Sequence, residues 1–214
     1  MTTAPRLNWT DLSAPWRSCI SEAWASYCAG SVPIGAVVID AAGSVVATGR
    51  NQRKGTGDGG PLEGHLLAHA EMNALLAACD EHGDLRGCTL LTTVEPCPLC
   101  TGAAAMSHIG RIEFAARDLW AGGTDLLQAT AYMRSKQVEV VGPIDSHLEE
   151  MMLAWNVDYW LRQPPTAARQ RLIGLWRVAF PHAVEAGELL YERDTLAVPA
   201  AERWLLEKIL PLVS

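Results

Sequence analysis

Between residues 88 and 118 the chain reads strand, helix, strand, and that order leaves few ways to connect the pieces. CTLLTTVE (88–95) is an apolar, β-branched run of the length of a buried strand. Pro96 follows, and a proline suits the first position of a helix, where its missing N–H costs nothing. A helix is therefore expected from Pro96 to about Ser107. RIEFAARD (111–118) is a second strand. Two strands joined through a helix become parallel neighbours, because a hairpin cannot make that connection.

The flanking segments extend the pattern. Residues 13–29 carry apolar side chains at Trp16, Cys19, Ile20, Ala23, Trp24 and Tyr27, the spacing of a core-facing helix, with Ser13 as N-cap and Gly30 as stop. IGAVVID and SVVATGR, separated by Ala41-Ala42-Gly43, read as a β-hairpin. The stretch 51–64 holds five glycines and one proline and reads as a flexible loop. A helix is expected from His65 to Cys79, ending near Gly83; residues 123–135 have helical composition, QVEVVG is a fifth strand, and a further helix covers 146–161. The sum is an α/β fold: a three-layer α/β/α sandwich on a five-stranded mixed sheet, with strands 4 and 5 parallel.

Gln163-Pro164-Pro165 marks a boundary, giving a domain over 1–163 and a helical C-terminal extension over 164–214. The extension carries apolar stripes at Leu172, Leu175, Trp176 and Ala179 and at Leu205, Leu206, Ile209 and Leu210. With no metal-ligand spacing or glycine-rich loop in it, it reads as a packing or oligomerisation element.

Composition narrows the partners. The formal net charge is −7, which argues against a nucleic-acid partner, since affinity for phosphate backbones comes from clustered Lys and Arg. Arg50, Arg53 and Lys54 in one loop and the arginines of 162–177 are too dispersed in sequence to form a stripe. No apolar run is long enough to span a membrane and the start does not resemble a secretory signal, so a soluble, cytoplasmic protein is expected. Of the six cysteines, Cys19, Cys28 and Cys79 have apolar neighbours and read as small core residues.

Two short stretches carry chemistry: His69-Ala70-Glu71 and Pro96-Cys97-Pro98-Leu99-Cys100. Zinc prefers imidazole nitrogen and thiolate sulfur, and a catalytic zinc keeps three protein ligands with one position open. Cys97 and Cys100, three apart at a helix start, share one face, and the helix N-terminus favours thiolates. His69 supplies a third ligand. Water on such a metal loses a proton near neutral pH, and Glu71 could relay that proton to a leaving amine. In the middle of an ideal helix His69 and Glu71 would point apart, so His69 must sit in the helix mouth for both to reach the metal. A closed structural site would recruit a fourth ligand from His65, His82 or His108. The order HxE followed by PCxxC is nonetheless the signature of zinc deaminases.

With these motifs the chain resembles the cytidine and deoxycytidylate deaminase superfamily, and within it the branch holding tRNA adenosine deaminases and guanine deaminases. The likeness runs over about residues 30–145, through PIGAVVID, Gly49-Arg50-Asn51, LAHAEMNALL, TLLTTVEPCPLCTGAAAMSHIGRIEFAARD and the glycine pair that follows. The resemblance implies that His69, Cys97 and Cys100 hold Zn2+ and that Glu71 shuttles protons. It places Asn51, the backbone N–H of Ala70, the carbonyl of Glu95 and Trp120 near the substrate, and it implies a homodimer. Three features depart from the tRNA enzymes: the longer glycine-rich loop, the missing basic ending with a long tail in its place, and the acidic charge. They favour hydrolytic deamination of a small aminated heterocycle (a free nucleobase, nucleoside or related metabolite) in a pocket covered by a mobile loop. A tRNA adenosine-to-inosine deaminase is the alternative, and a non-catalytic zinc-binding interaction protein is a second one.

Overall fold

The structure is a computed structural model and describes residues 9–55, 57, 60–194 and 196. Helix α1 (Ala14–Cys28) starts where expected, with the Ser13 hydroxyl accepting from the backbone N–H of Trp16 and Gly30 just past its end at φ +74°. Strands β1 (Gly35–Ile39) and β2 (Val45–Arg50) form the hairpin. The chain continues through α2 (Ala70–His82), β3 (Thr89–Val94), α3 (Pro98–Met106), β4 (Arg111–Ala116), α4 (Ala131–Ser135) and β5 (Glu139–Val141). Then follow α5 (Ser146–Arg162), α6 (Ala167–Ala179) and α7 (Pro181–Glu192).

The sheet order is β2-β1-β3-β4-β5. Strand β1 lies antiparallel to both β2 and β3, whereas β3, β4 and β5 run parallel, as the helical crossovers demand. Alternation along each strand builds two cores. Val37 and Leu91 face α1 and α5; Ala36, Val38 and Leu90 face α2 and α3. The expected three layers and mixed sheet are borne out.

Several boundaries moved. The helix expected from His65 begins only at Ala70 and runs on to His82. The one expected from Pro96 begins at Pro98, because the second proline occupies the first helical turn and leaves Cys97 as the N-cap. Residues 123–135 split into a 3-10 turn, Thr124–Gln128, and the short α4. Cys19 is buried as expected, but Cys79 is only partly buried and Cys28, on the last turn of α1, is exposed.

Helices α6 and α7 share the core of the α1–α5 face: Ile173, Trp176, Ala183, Val184 and Leu190 pack with Trp155 and Leu153 of α5. On α6 the buried side chains are Ile173 and Trp176, while Leu175 and Ala179 of the expected stripe are exposed. The stripe at Leu205, Leu206, Ile209 and Leu210 lies outside the described residues. Arg117, just after β4, grips the buried Glu149 of α5 with two guanidinium hydrogen bonds of 2.7 and 3.0 Å and lies over the Phe180 ring between α6 and α7. Among the described residues no helix is long and apolar enough to cross a membrane.

Candidate metal centre and catalytic pocket

Two helix starts meet at the site. His69 is the N-cap of α2, with extended backbone at φ −75° and ψ 154°, and Cys97 is the N-cap of α3 at φ −69° and ψ 171°. This resolves the apparent conflict between His69 and Glu71, because an extended residue before the helix turns its side chain toward the same end as the first helical turn. Close packing seats both starts. A Cβ on Gly49 of β2 would stand 2.3 Å from the Ala70 carbonyl oxygen, and one on Gly123 would stand 2.7 Å from the nitrogen of Pro98. Glycine is the residue that permits these approaches.

His69 Nδ1 lies 3.5 Å from the Sγ atoms of both Cys97 and Cys100, and the two sulfurs are 3.6 Å apart. A tetrahedral zinc, with bonds of about 2.3 Å to sulfur and about 2.0 Å to nitrogen, sets its ligand atoms about 3.5–3.8 Å from one another. The triangle therefore has the dimensions of three zinc ligands, and the donor set suits that metal. Among the described residues these three form the one group of His, Cys, Asp and Glu side chains arranged to hold a metal ion. His65, His82 and His108 stand outside it. His65 accepts from the Leu67 N–H, His82 lies by Glu81, and His108 pairs with Asp84.

Electrostatics at the triangle follow from crowding. The hydrogen bond from Cys100 and the neighbouring His69 lower the Cys97 thiol to about 4 against the opposing effect of burial. The Cys100 thiol is raised by that same hydrogen bond and by burial. His69 is raised by its contact with Cys97. Glu71, 3% exposed, is raised to about 7, first by burial and further by the charge of Cys97; its own backbone N–H, His69 and a hydrogen bond from Cys100 oppose the rise. A metal ion in the triangle would hold both thiols deprotonated.

Glu71, His69 and Cys97 line one side of a cavity of about 170 Å3. Asn51, buried at the end of β2, lines it too, with its Oδ1 accepting from the Arg53 N–H at 3.2 Å. Trp120 is at the cavity edge and 51% exposed, with the Arg171 guanidinium over its ring, so it is not a core residue. Ala70 is fully buried in the first turn of α2. Glu95 lines the cavity while its carboxylate accepts from Thr124 Oγ1 at 2.5 Å and from the Asp118 N–H at 3.4 Å, bracing the turn after β4.

The rest of the lining was not anticipated. Asn156 and Trp160 of α5 and Leu172 and Trp176 of α6 complete the lining of the cavity that Cys97 shares. Trp176 is buried, yet its indole Nε1 has no hydrogen-bond partner. The sequence held one signal for this wall: Asn156 is a polar residue inside the apolar run MMLAWNV.

Comparison with known proteins settles the family. The sequence profile of the cytidine and deoxycytidylate deaminase zinc-binding region matches residues 10–116. The chain belongs to that family. Among its deaminase relatives, the tRNA-specific adenosine deaminase of Bacillus subtilis (strain 168) is 36% identical over 163 residues, covering 73% of this chain and 94% of the relative. A tRNA(Ile)-lysidine synthase of Deinococcus deserti is 40% identical over 107 residues, covering 47% of this chain. The chain spans 19% of the length of that protein. The guanine deaminase of Nitrosomonas europaea has the same fold, with a TM-score of 0.51 at 21% identity over 72% of this chain and 86% of the other.

Proposed function

We propose that this deaminase-family chain catalyses hydrolytic deamination of a small aminated heterocycle, a nucleobase, nucleoside or related metabolite. The observation that carries the reading is the roofed cavity, which joins a zinc-sized ligand triangle and a buried carboxylate to an aromatic wall from α5 and α6. Its volume of about 170 Å3 lies below the roughly 300–1,000 Å3 of pockets for drug-sized ligands. It suits one planar ring system.

In this reading His69, Cys97 and Cys100 would hold Zn2+, which would supply the acidification of water when bound. Glu71 takes one proton from the attacking water and delivers it to the ring nitrogen; it then carries the second proton, from the hydroxyl formed at the carbon, to the departing amine, and the C–N bond breaks to release ammonia. Asn51 and the Ala70 N–H orient the heterocycle, and the Glu95 carbonyl faces its amine. Trp120 and Trp160 pack on its faces. Through Leu172 and Trp176, which line the pocket, residues 164–194 belong to the catalytic unit rather than to an appended module. The reading includes a homodimer, which sedimentation of the zinc-loaded protein tests.

The test is ammonia release by zinc-loaded protein across bases, nucleosides and other aminated heterocycles, with Glu71→Gln as control. Turnover is expected to fall about 10²–10⁴-fold in Glu71→Gln while zinc content is kept. An active Glu71→Gln protein overturns the assigned proton relay. The similarity to the Bacillus subtilis tRNA-specific adenosine deaminase favours a second reading, adenosine-to-inosine conversion in tRNA. Inosine formation in a stem-loop RNA, without turnover of any small heterocycle, would decide for it.

A further inference from the structure

Arg53 and Lys54, neighbours in one loop, and Arg169, far from them in sequence, line one cavity of about 370 Å3. Tyr159, Trp160 and Thr166 also line it, and among the described residues no Asp or Glu does. The cavity adjoins the catalytic pocket, since Val32, Arg53 and Trp160 line both. Arg53 spans the junction, lining the second cavity beside Tyr159 and the catalytic pocket beside His69.

None of the three cations meets a carboxylate among the described residues. Lys54 Nζ donates to Gln163 Oε1 at 3.3 Å, Arg169 donates one Nη to the Gln163 carbonyl, and the Arg169 Nε is buried with no partner. The Thr166 hydroxyl caps α6 by accepting from the Arg169 N–H, so the positive end of a 13-residue helix opens on the same cavity. In a chain of net charge −7, three cations without a carboxylate partner around one cavity give it a positive local potential that attracts an anion.

We propose that this second cavity is the subsite for an acidic group, a phosphate ester, carried by the heterocycle that the catalytic pocket deaminates. The assignment rests on the deaminase reading and extends it: the ring sits beside Glu71, and the substituent runs past Arg53 to Lys54 and Arg169. The substrate is then a phosphorylated small molecule rather than a free base. An internucleotide phosphate of RNA would offer related chemistry, so the test separates the two.

Calorimetric binding to zinc-loaded Glu71→Gln protein compares nucleosides with their 5′-monophosphates, alongside a stem-loop RNA; wild-type protein is titrated with inorganic phosphate. One monophosphate should bind about tenfold or more tightly than its nucleoside, as one or two charge-assisted hydrogen bonds would give. Inorganic phosphate should bind the wild-type protein, and each of Lys54→Gln and Arg169→Gln should shrink the monophosphate-to-nucleoside ratio and weaken phosphate binding. Equal affinities, or a ratio that neither substitution changes, overturn the subsite. Tight binding of the stem-loop with no monophosphate preference overturns the small-molecule source. Ammonia release by wild-type protein on the same panel is read separately. Silence there with phosphate-dependent binding intact brings down the deaminase reading and leaves the subsite standing; equal turnover of nucleoside and monophosphate does the reverse.

Discussion

Trp176 is the residue whose replacement asks whether α6 is part of the site or only lies over it. It is 3% exposed, packs in the large core and lines the catalytic cavity, and its Nε1 has no partner. Trp176→Ala removes a side chain whose loss from a closed core costs about 3–5 kcal/mol. Here the loss should fall near about 3 kcal/mol, because one side of the indole faces a cavity rather than packed atoms. With a urea dependence of about 2–3 kcal/mol/M, the unfolding midpoint drops by about 1 M. Trp176→Phe keeps an aromatic roof and deletes an N–H that no protein atom accepts, so stability should fall by only about 1–2 kcal/mol. The indole N–H is closed off from the cavity, so Trp176→Phe should hold kcat/KM near the wild-type value, whereas Trp176→Ala, which opens the roof, should lower it. Urea titrations and kcat/KM on the same three proteins read both effects. A large loss of kcat/KM in Trp176→Phe refutes the closed-off indole. An Ala variant with an unmoved midpoint and normal turnover refutes the roof.

Chelation should remove one zinc per chain, measured by atomic emission; at free zinc about 100 times Kd, the metal should restore about 2.7 kcal/mol of stability. Cys97→Ser or Cys100→Ser that keeps a full equivalent of zinc would exclude these ligands. Arg117→Met strips two hydrogen bonds from the Glu149 carboxylate, whose side chain is 5% exposed, and should cost about 1–3 kcal/mol; a urea midpoint within error of wild type would show the pair to be idle. Burial and the hydrogen bond to Asp158 raise the Tyr27 hydroxyl above its ordinary range. The folded chain then keeps that proton while the unfolded chain releases it above about pH 10, so stability falls as pH rises beyond that point. Tyr27→Phe should flatten this alkaline slope, and an unchanged slope would discount the assignment.

The sheet was legible because its determinants are local. Alternation gave the hairpin, and the helical crossovers dictated the parallel β3-β4-β5 order. His69, Glu71, Cys97 and Cys100 were legible because the chemistry requires those residue types at short spacings. What failed was of two kinds. At helix starts, two prolines two residues apart gave the same local signal, and the packing of Gly123 against Pro98 marks where α3 begins. Across the chain, nothing in the sequence says that Trp176 lines one cavity with Cys97, or that Arg169 shares a cavity with Lys54. Those pairings arise from how α5 carries the Pro164-Pro165 turn back across the molecule, which is a property of the tertiary path rather than of any window.

The placement of His69 and Cys97 on two helix caps has a consequence for descent. The groups that perform the chemistry are anchored in the sheet-backed body, whereas much of what would touch only the substrate comes from the 51–64 loop and the α5–α6 wall. Mutations in the second set can alter which molecule is accepted without disturbing how it is transformed. A lineage can thus drift between substrates by reshaping one helix and one loop, inheriting the reaction unchanged.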